Sequence, residues 1–415
     1  MIFWTITGSF ASAVIYDKWQ TRRVKQKWQD VVSHIADETL STKSMPRRMT
    51  IYLSAPPGDG LRSARDHFHD YVKPVLVAAA MDWDVVEGRK EGDVRYKTAE
   101  RIRKKRKRAG EGEPVSEEEM EKQYPVAAMR EKTGTSEYSG VAGDLVIGRN
   151  TWKEYVRGLH EGWLGPADAP AQPELEASSE PTSAQHTSGS PSLGDAAEKG
   201  AANVVEANAT AVQSIDEVVS DAEQRDSAQA DEKPQDEKRA EEEKPKPRNP
   251  PAYITPAEYS TATLSPSTPE IIGPSTAVRF PHILGFFNTP TRTYRFLTRR
   301  RLADDVGRQV AAAVLANYHR PYDRFSVADS DSAGGTETSQ SEQAQVLAHE
   351  ESSWLKSVRE PRKEVEESVW IEDMVLDERL ASRMRRFELS GEDEERARRI
   401  ADGTEKVRRK GEEES

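Results

Sequence analysis

MTIYLSAPPGDGLRSARDHFHDYVKPVLVAAAMDWDVVEG, residues 49–88, decides the fold class. Residues 49–53 alternate as a strand does, and Pro56-Pro57-Gly58-Asp59-Gly60 carries the chemistry of a tight turn. From Leu61 to Ala80, Phe68, Tyr71, Val72, Val75 and Leu76 recur at helical spacing, and Trp83 to Val86 opens a second strand. Strand, turn, helix and strand make one βαβ unit, which predicts an α/β body.

A glycine-containing loop that opens a helix can hold phosphate through backbone N–H groups and the helix dipole. This loop matches neither G-x-G-x-x-G nor the G-K-S pattern, so an ordinary strand-to-helix turn is the default reading. Taken whole, the unit resembles the opening of the acylglycerol and diacylglycerol kinase catalytic fold. The features that carry the resemblance are Pro74-Val75-Leu76, Met81-Asp82, Val85-Val86 and the Glu91-Gly92 step. That family's nucleotide motif is Gly-Gly-Asp-Gly-Thr, whereas this chain offers Val141-Ala142-Gly143-Asp144-Leu145-Val146. Gly58, Gly60, Gly143 and Asp144 are therefore degenerate phosphate-loop positions, and the resemblance implies a fold rather than an activity. A membrane-bound lipid kinase of the acylglycerol type is the alternative function. No catalytic residue, cofactor or metal ligand is assigned.

Only 35% of the 415 residues are hydrophobic and 32% are charged, so part of the chain lacks a core. With 72 acidic and 60 basic residues the net charge is -12, which opposes non-specific binding to nucleic acid. The absence of cysteine excludes disulfides, thiolate metal sites and cysteine nucleophiles together.

Residues 1–16, MIFWTITGSFASAVIY, carry no charge, and Asp17 then opens a polar stretch with Lys18, Arg22, Arg23, Lys25 and Lys27. Sixteen helical residues reach roughly 24 Å, a little short of a ~30 Å hydrocarbon core. Trp4, Tyr16 and Trp19 suit the interfacial layers, and Lys18 and Arg22 can snorkel. Gly8, Ser9, Ala11, Ser12 and Ala13 form a small-residue face fit for another membrane helix. The expectation is a single transmembrane anchor over residues 1–17, with a cleaved signal ending at Ala11-Ser12-Ala13 and a buried core helix as alternatives. Residues 18–46 continue as an amphipathic helix and linker, since Val24, Trp28, Val31, Val32 and Ile35 recur at helical spacing.

The α/β body spans residues 47–164, with a basic charged insert near 101–123. Residues 165–252 lack aromatics and read as disordered low-complexity sequence. Order returns over 253–325, where Val306, Val310 and Val314 mark one helical stripe. A disordered polar linker over 326–352 follows, then C-terminal helices over 353–390 and a charged tail over 391–415.

Other candidates are weaker. His67 and His69 stand two apart and share no helix face, which argues against a metal pair. Asp82 and Asp84 share a strand face that points to solvent. Asn208-Ala209-Thr210 is a sequon that matters only in a secretory chain. The run Arg103-Lys104-Lys105-Arg106-Lys107-Arg108, with Arg101 before it, is either a site for anionic lipid or a solvated helix end balanced by Glu117-Glu118-Glu119.

Four stretches together resemble the fungal fifty-four-kilodalton subunit family of the mitochondrial carrier translocase. They are FWTITGSFASAVIYDKWQTRRVKQKW from Phe3, YLSAPPGDGLRSARDHFHDYVKPVLVAAAMDWDVVEGRKEGDVRYKTAERIR from Tyr52, VAGDLVIGRNTWKEYVRGLHEGWLGP from Val141 and PHILGFFNTPTRTYRFLTRRRLADDVGRQVAA from Pro281. The resemblance implies a single-pass inner-membrane protein with its large domain in the intermembrane space. It also implies a non-enzymatic scaffold whose partners are the channel subunit and small intermembrane-space chaperone complexes. Family members carry a short segment before the membrane helix, so this chain is expected to start inside its anchor. The positive-inside tendency alone would put the body on the matrix side; the resemblance outweighs it.

Overall fold

The computed structural model of the 415-residue chain describes residues 2–38, 44–112, 129, 130, 132–136, 138, 140–169, 251–327, 338–360 and 368–405. Most of the low-complexity stretch 165–252, the acidic run from Glu117 and the Asn208 sequon lie outside the described residues.

Strand β1 (Arg48–Ser54) and strand β2 (Asp82–Gly88) pair in parallel, with Met49 opposite Trp83 and Leu53 opposite Glu87. Helices α2 (Leu61–His67) and α3 (Lys73–Ala78) join them through one π turn, Phe68–Val72. Pro74 explains that turn: it has no N–H to give, and its ring crowds the carbonyl four residues back. The βαβ unit thus stands as the sequence predicts.

Helix α1 (Ile2–Ser33) precedes this unit, and α4 (Asp93–Arg108), β3 (Asp144–Ile147) and α5 (Arg149–Leu164) follow it. Then come β4 (Ser275–Val278), α6 (Thr289–Phe296), α7 (Arg299–Leu315) and β5 (His319–Pro321). A separate hairpin, β6 (Arg324–Val327) with β7 (Thr338–Ser341), precedes β8 (Arg385–Phe387) and α8 (Gly391–Ala401). The main sheet runs β2-β1-β3-β4-β8-β5 and is parallel except for the edge strand β5.

Alternation along the strands divides the core into two layers. Met49, Ile51, Leu53, Leu145 and Ile147 pack with Trp28, Val31 and Val32 of α1 and with Val306, Val310 and Val314 of α7. Tyr52 and Val146 face the other way, against Val94, Ile102, Trp152, Tyr155 and Leu159. The valine stripe on α7 is buried as its spacing predicts.

Helix α1 does not break between the uncharged and the amphipathic stretch. Trp28 is 1% exposed and donates Nε1–H to Asp304 Oδ1 at 2.9 Å. Gly307 allows this approach, because a Cβ there would lie 2.3 Å from Trp28 Cδ1. Among the described residues, no helix is long and apolar enough to cross a membrane.

Two stretches depart from expectation. The end of the polar linker is ordered, with Gln343 and Glu350 buried, because its polar groups serve helix α5: Trp152 Nε1–H donates to the Gln343 carbonyl at 2.9 Å. Among its described residues the stretch 353–390 holds a 3-10 turn, Lys356–Arg359, a four-residue helix, Glu378–Ala381, and strand β8 rather than longer helices. Its backbone is satisfied by side chains instead, with Trp370 N–H donating to Glu91 Oε1 at 2.9 Å and Asp377 N–H to His160 Nε2 at 3.0 Å.

Candidate functional site

In open α/β sheets, ligands bind at the crevice beyond the carboxyl ends of the strands. Here that crevice lies over the ends of β1, β3 and β4. Gly148, at φ +87°, turns β3 into α5 and presents Arg149, Asn150 and Thr151 at the helix N-terminus. Asn150 Nδ2 donates to Ser54 Oγ at 2.6 Å and to the Ala55 carbonyl at 3.0 Å, and Ser54 and Thr151 hydroxyls share a 2.9 Å bond. The crevice is built of the right residue types for a polar ligand.

It is also occupied by the chain itself. Glu350 accepts from Arg149 N–H at 3.0 Å and from Phe280 N–H at 2.7 Å, so a carboxylate sits where an anion would meet the helix dipole. Burial pushes its carboxyl up to about 7, against the two N–H donors that favour the charged form. Leu355 closes over Gly58: a Cβ there would stand 2.4 Å from Leu355 Cδ1. A residual cavity of about 10 Å³ remains among Pro56, Pro57, Phe280 and Trp354, at the lower limit for one water.

The four degenerate phosphate-loop positions do not converge. Gly58 and Gly60 follow β1, but Gly143 and Asp144 stand at the start of β3, since Thr50 pairs with Asp144 and Leu53 with Ile147. They are at opposite ends of the sheet. The strand-to-helix turn that reaches the crevice is Gly148–Thr151. Asp144 serves a structural cluster instead, accepting from Tyr155 OH at 2.8 Å, while Arg101 donates to Thr50 Oγ1 at 2.7 Å and to Tyr52 OH at 3.2 Å. Burial raises the Asp144 carboxyl above its usual range.

The basic run is not one exposed patch. Arg103 is buried, donates to Glu161 Oε1 at 2.6 Å and lies 3.7 Å from the Tyr253 ring centroid. Arg106 is buried as well and donates to Glu111 at 2.8 Å and to the carbonyls of Gly162 and Gly165 at 2.7 Å. Lys104 pairs with Glu100 and Lys107 with Asp168, both at 2.7 Å, and Lys105 stands 6.0 Å from the Trp163 ring. Among the described residues the balancing carboxylates are Glu100, Glu111, Glu161 and Asp168.

His67 is buried and held neutral, its pKa lowered by burial to about 4, whereas His69 is exposed. Asp82 and Asp84 are exposed, and Asp84 meets Arg48 at 3.4 Å. Among the described residues no cluster could hold a metal ion.

The remaining candidate surface is the first half of α1. Gly8, Ser9, Ala11 and Ser12 are exposed and Ala13 is half-buried, with Trp4 at 75% and Trp19 at 52%. Ile2, Phe3, Ile6, Phe10 and Ile15 are exposed beside them. Hydroxyls of Thr5, Thr7 and Ser9 turn back to helix carbonyls, leaving the outer face apolar. At Asp17 the helix meets the body: this buried carboxylate accepts from Arg299 N–H at 3.1 Å and Arg300 Nη1–H at 2.8 Å, serving the N-terminus of α7.

Residues 1–387 match the family model described as inner membrane protein import complex subunit Tim54. The chain belongs to the Tim54 family. Among its relatives are mitochondrial import inner membrane translocase subunits tim54 of Aspergillus fumigatus, 46% identical over 98% of this chain and 90% of its own length, and of Neurospora crassa, 47% identical over 96% and 79%. The Aspergillus oryzae relative is 44% identical over 98% of this chain and 87% of its own length. The Tim54 relatives are named as translocase subunits, and the kinase alternative finds no support among them.

Asp17, Asn150 and Glu350 are the residues that sequence reasoning missed. Asp17 had a signal, as the first charge after an uncharged run. Asn150 had a weak signal, as a polar residue just after Gly148 that follows the apolar run Leu145-Val146-Ile147. Glu350 had none, because 201 residues separate it from Arg149.

Proposed function

We propose that this chain is a structural subunit of the mitochondrial inner-membrane translocase that inserts multi-spanning carriers. The uncharged half of α1 is held in the inner membrane, the body stands in the intermembrane space, and the chain joins the channel subunit to small chaperone complexes. The observation that carries this reading is helix α1. Its first half is apolar and uncovered, while its second half is locked in the core by Trp28, Val31 and Val32.

From Ile2 to Tyr16 the uncharged helix reaches roughly 22 Å, so Trp4 and Trp19 at its ends and snorkelling of Lys18 and Arg22 supply the remaining span. Gly8, Ser9, Ala11, Ser12 and Ala13 give a close-packing face for a helix of the channel subunit. Because α1 continues unbroken into the body, a partner gripping its first half is coupled rigidly to the docking platform.

Native electrophoresis of mitochondria depleted of the protein tests the role: the carrier translocase should lose mass or fall apart, and a complex of unchanged size refutes it. Protease added after rupture of the outer membrane should digest the body while sparing residues 1–17; a fully protected body refutes the orientation.

A further inference from the structure

Between Arg279 and Asp304 the chain carries five arginines and no acidic residue, and the aromatic residues within that stretch are largely uncovered. Phe286 and Phe287, in the turn before α6, are 84% and 95% exposed, and Tyr294 and Phe296 on α6 are exposed too. Packing inside the body does not account for such rings, and a contiguous exposed apolar surface rimmed by charge marks a contact site. Exposed aromatic residues interleaved with arginines on a short segment are the residue types that favour the membrane interface.

Position selects the partner. Asp17 ties Arg299 and Arg300 to α1, and the Arg300 guanidinium lies 5.5 Å from the Tyr16 ring centroid. Phe10 lines the same open groove as Arg292, Arg295, Phe296 and Arg299. Residues 286–301 are thus fixed beside the stretch of α1 between Phe10 and Asp17, about 10 Å long, where uncharged sequence gives way to charge. The opposite wall of that groove bears Asp59, Asp66 and Asp70, which oppose an anionic surface, so the contact belongs to the arginine side alone.

We propose that residues 286–301 form a second, peripheral membrane contact, with Phe286 and Phe287 entering the interfacial layer and Arg292, Arg299 and Arg301 meeting anionic phospholipid headgroups. This rests on the reading of α1 as the anchor, and it makes the anchor a two-point attachment that fixes the tilt of the body. A single helix would leave the body free to swing; a flanking interfacial segment removes that freedom. It also moves lipid binding from the basic run on α4 to the arginines around α6.

The chain has no cysteine, so single cysteines placed in the full-length protein label uniquely. An environment-sensitive fluorophore at Phe287→Cys is read in vesicles of phosphatidylcholine with phosphatidylglycerol, with Ile6→Cys reporting the anchor and Glu392→Cys reporting water. The Phe287 probe should shift to the blue and be quenched by headgroup-proximal nitroxide lipid, and Arg292→Glu with Arg301→Glu should reduce that quenching. Quenching at Ile6 with a water-like probe at Phe287 overturns the proposal while leaving the anchor intact. A water-like probe at Ile6 removes the anchor and the proposal with it. A Phe287 probe that is water-like in vesicles but shielded in the assembled translocase overturns the lipid contact in favour of a protein one.

Discussion

Two arginine-rich runs of this chain, Arg101 to Arg108 on α4 and Arg292 to Arg301 around α6, look alike in composition and have opposite fates. On α4 the guanidinium groups of Arg103 and Arg106 turn inward to Glu161, Glu111 and backbone carbonyls of the α5 end. Around α6, Arg292, Arg299 and Arg301 stay at the surface beside exposed rings. The difference is the facing element: α4 packs along α5, which offers a buried carboxylate, whereas α6 packs along little. Charge density along a sequence therefore does not locate a charged surface; the presence of a carboxylate across the helix interface does.

The largest expected effect breaks the first half of that comparison. Glu161 holds both Arg95 and Arg103 inside the protein, so Glu161→Ala leaves two buried guanidinium groups without their shared counter-ion. Removing one partner of a buried pair costs about 3–5 kcal/mol, which urea unfolding of the full chain in detergent would register. A loss below about 1 kcal/mol would show that the α4 arginines are solvated after all.

Next is the carboxylate that fills the strand-end crevice. The folded pKa of Glu350 stands at about 7, above the ordinary 4.5, so between those values the folded chain keeps a proton that the unfolded chain has lost. Stability from this group therefore falls as pH rises through that window, by up to about 3 kcal/mol, and is flat above it. Glu350→Gln should flatten the stability–pH curve between pH 5 and 7 relative to the parent; parallel curves would mean that the carboxylate is not buried against α5.

Asp17→Ala should cost about 1–2 kcal/mol, since it removes the acceptor at the N-terminus of α7 and unpairs Arg300. Thermal unfolding measures this, and the same variant should loosen the α6 segment from α1. The smallest effect completes the comparison: Arg292→Ala should change stability by no more than about 0.5 kcal/mol, because that side chain is exposed. A larger loss would place Arg292 with the α4 arginines rather than opposite them.

The legible parts of the fold are those with local periodicity. The βαβ unit, the valine stripe of α7 and the amphipathic continuation of α1 each declare themselves within about twenty residues, the length over which helix and strand periods can be read. The ordered end of the linker and the extended 368–377 stretch were not legible. There the backbone is held by Glu91, His160 and the α5 N-terminus, partners distant in sequence. The phosphate-loop positions failed for a related reason: Gly143-Asp144 resembles the motif locally, but only strand register shows that it lies at the wrong end of β3.

By itself the sequence determined the α/β class, the uncharged start of α1, and membership of a translocase-subunit family, because each is written in contiguous residues. Tertiary structure alone decided that the ligand crevice is filled by Glu350 and Leu355, that the basic run is largely internal, and that α6 stands beside the emerging α1. Those outcomes depend on which side chains meet across hundreds of residues, and only packing brings them together.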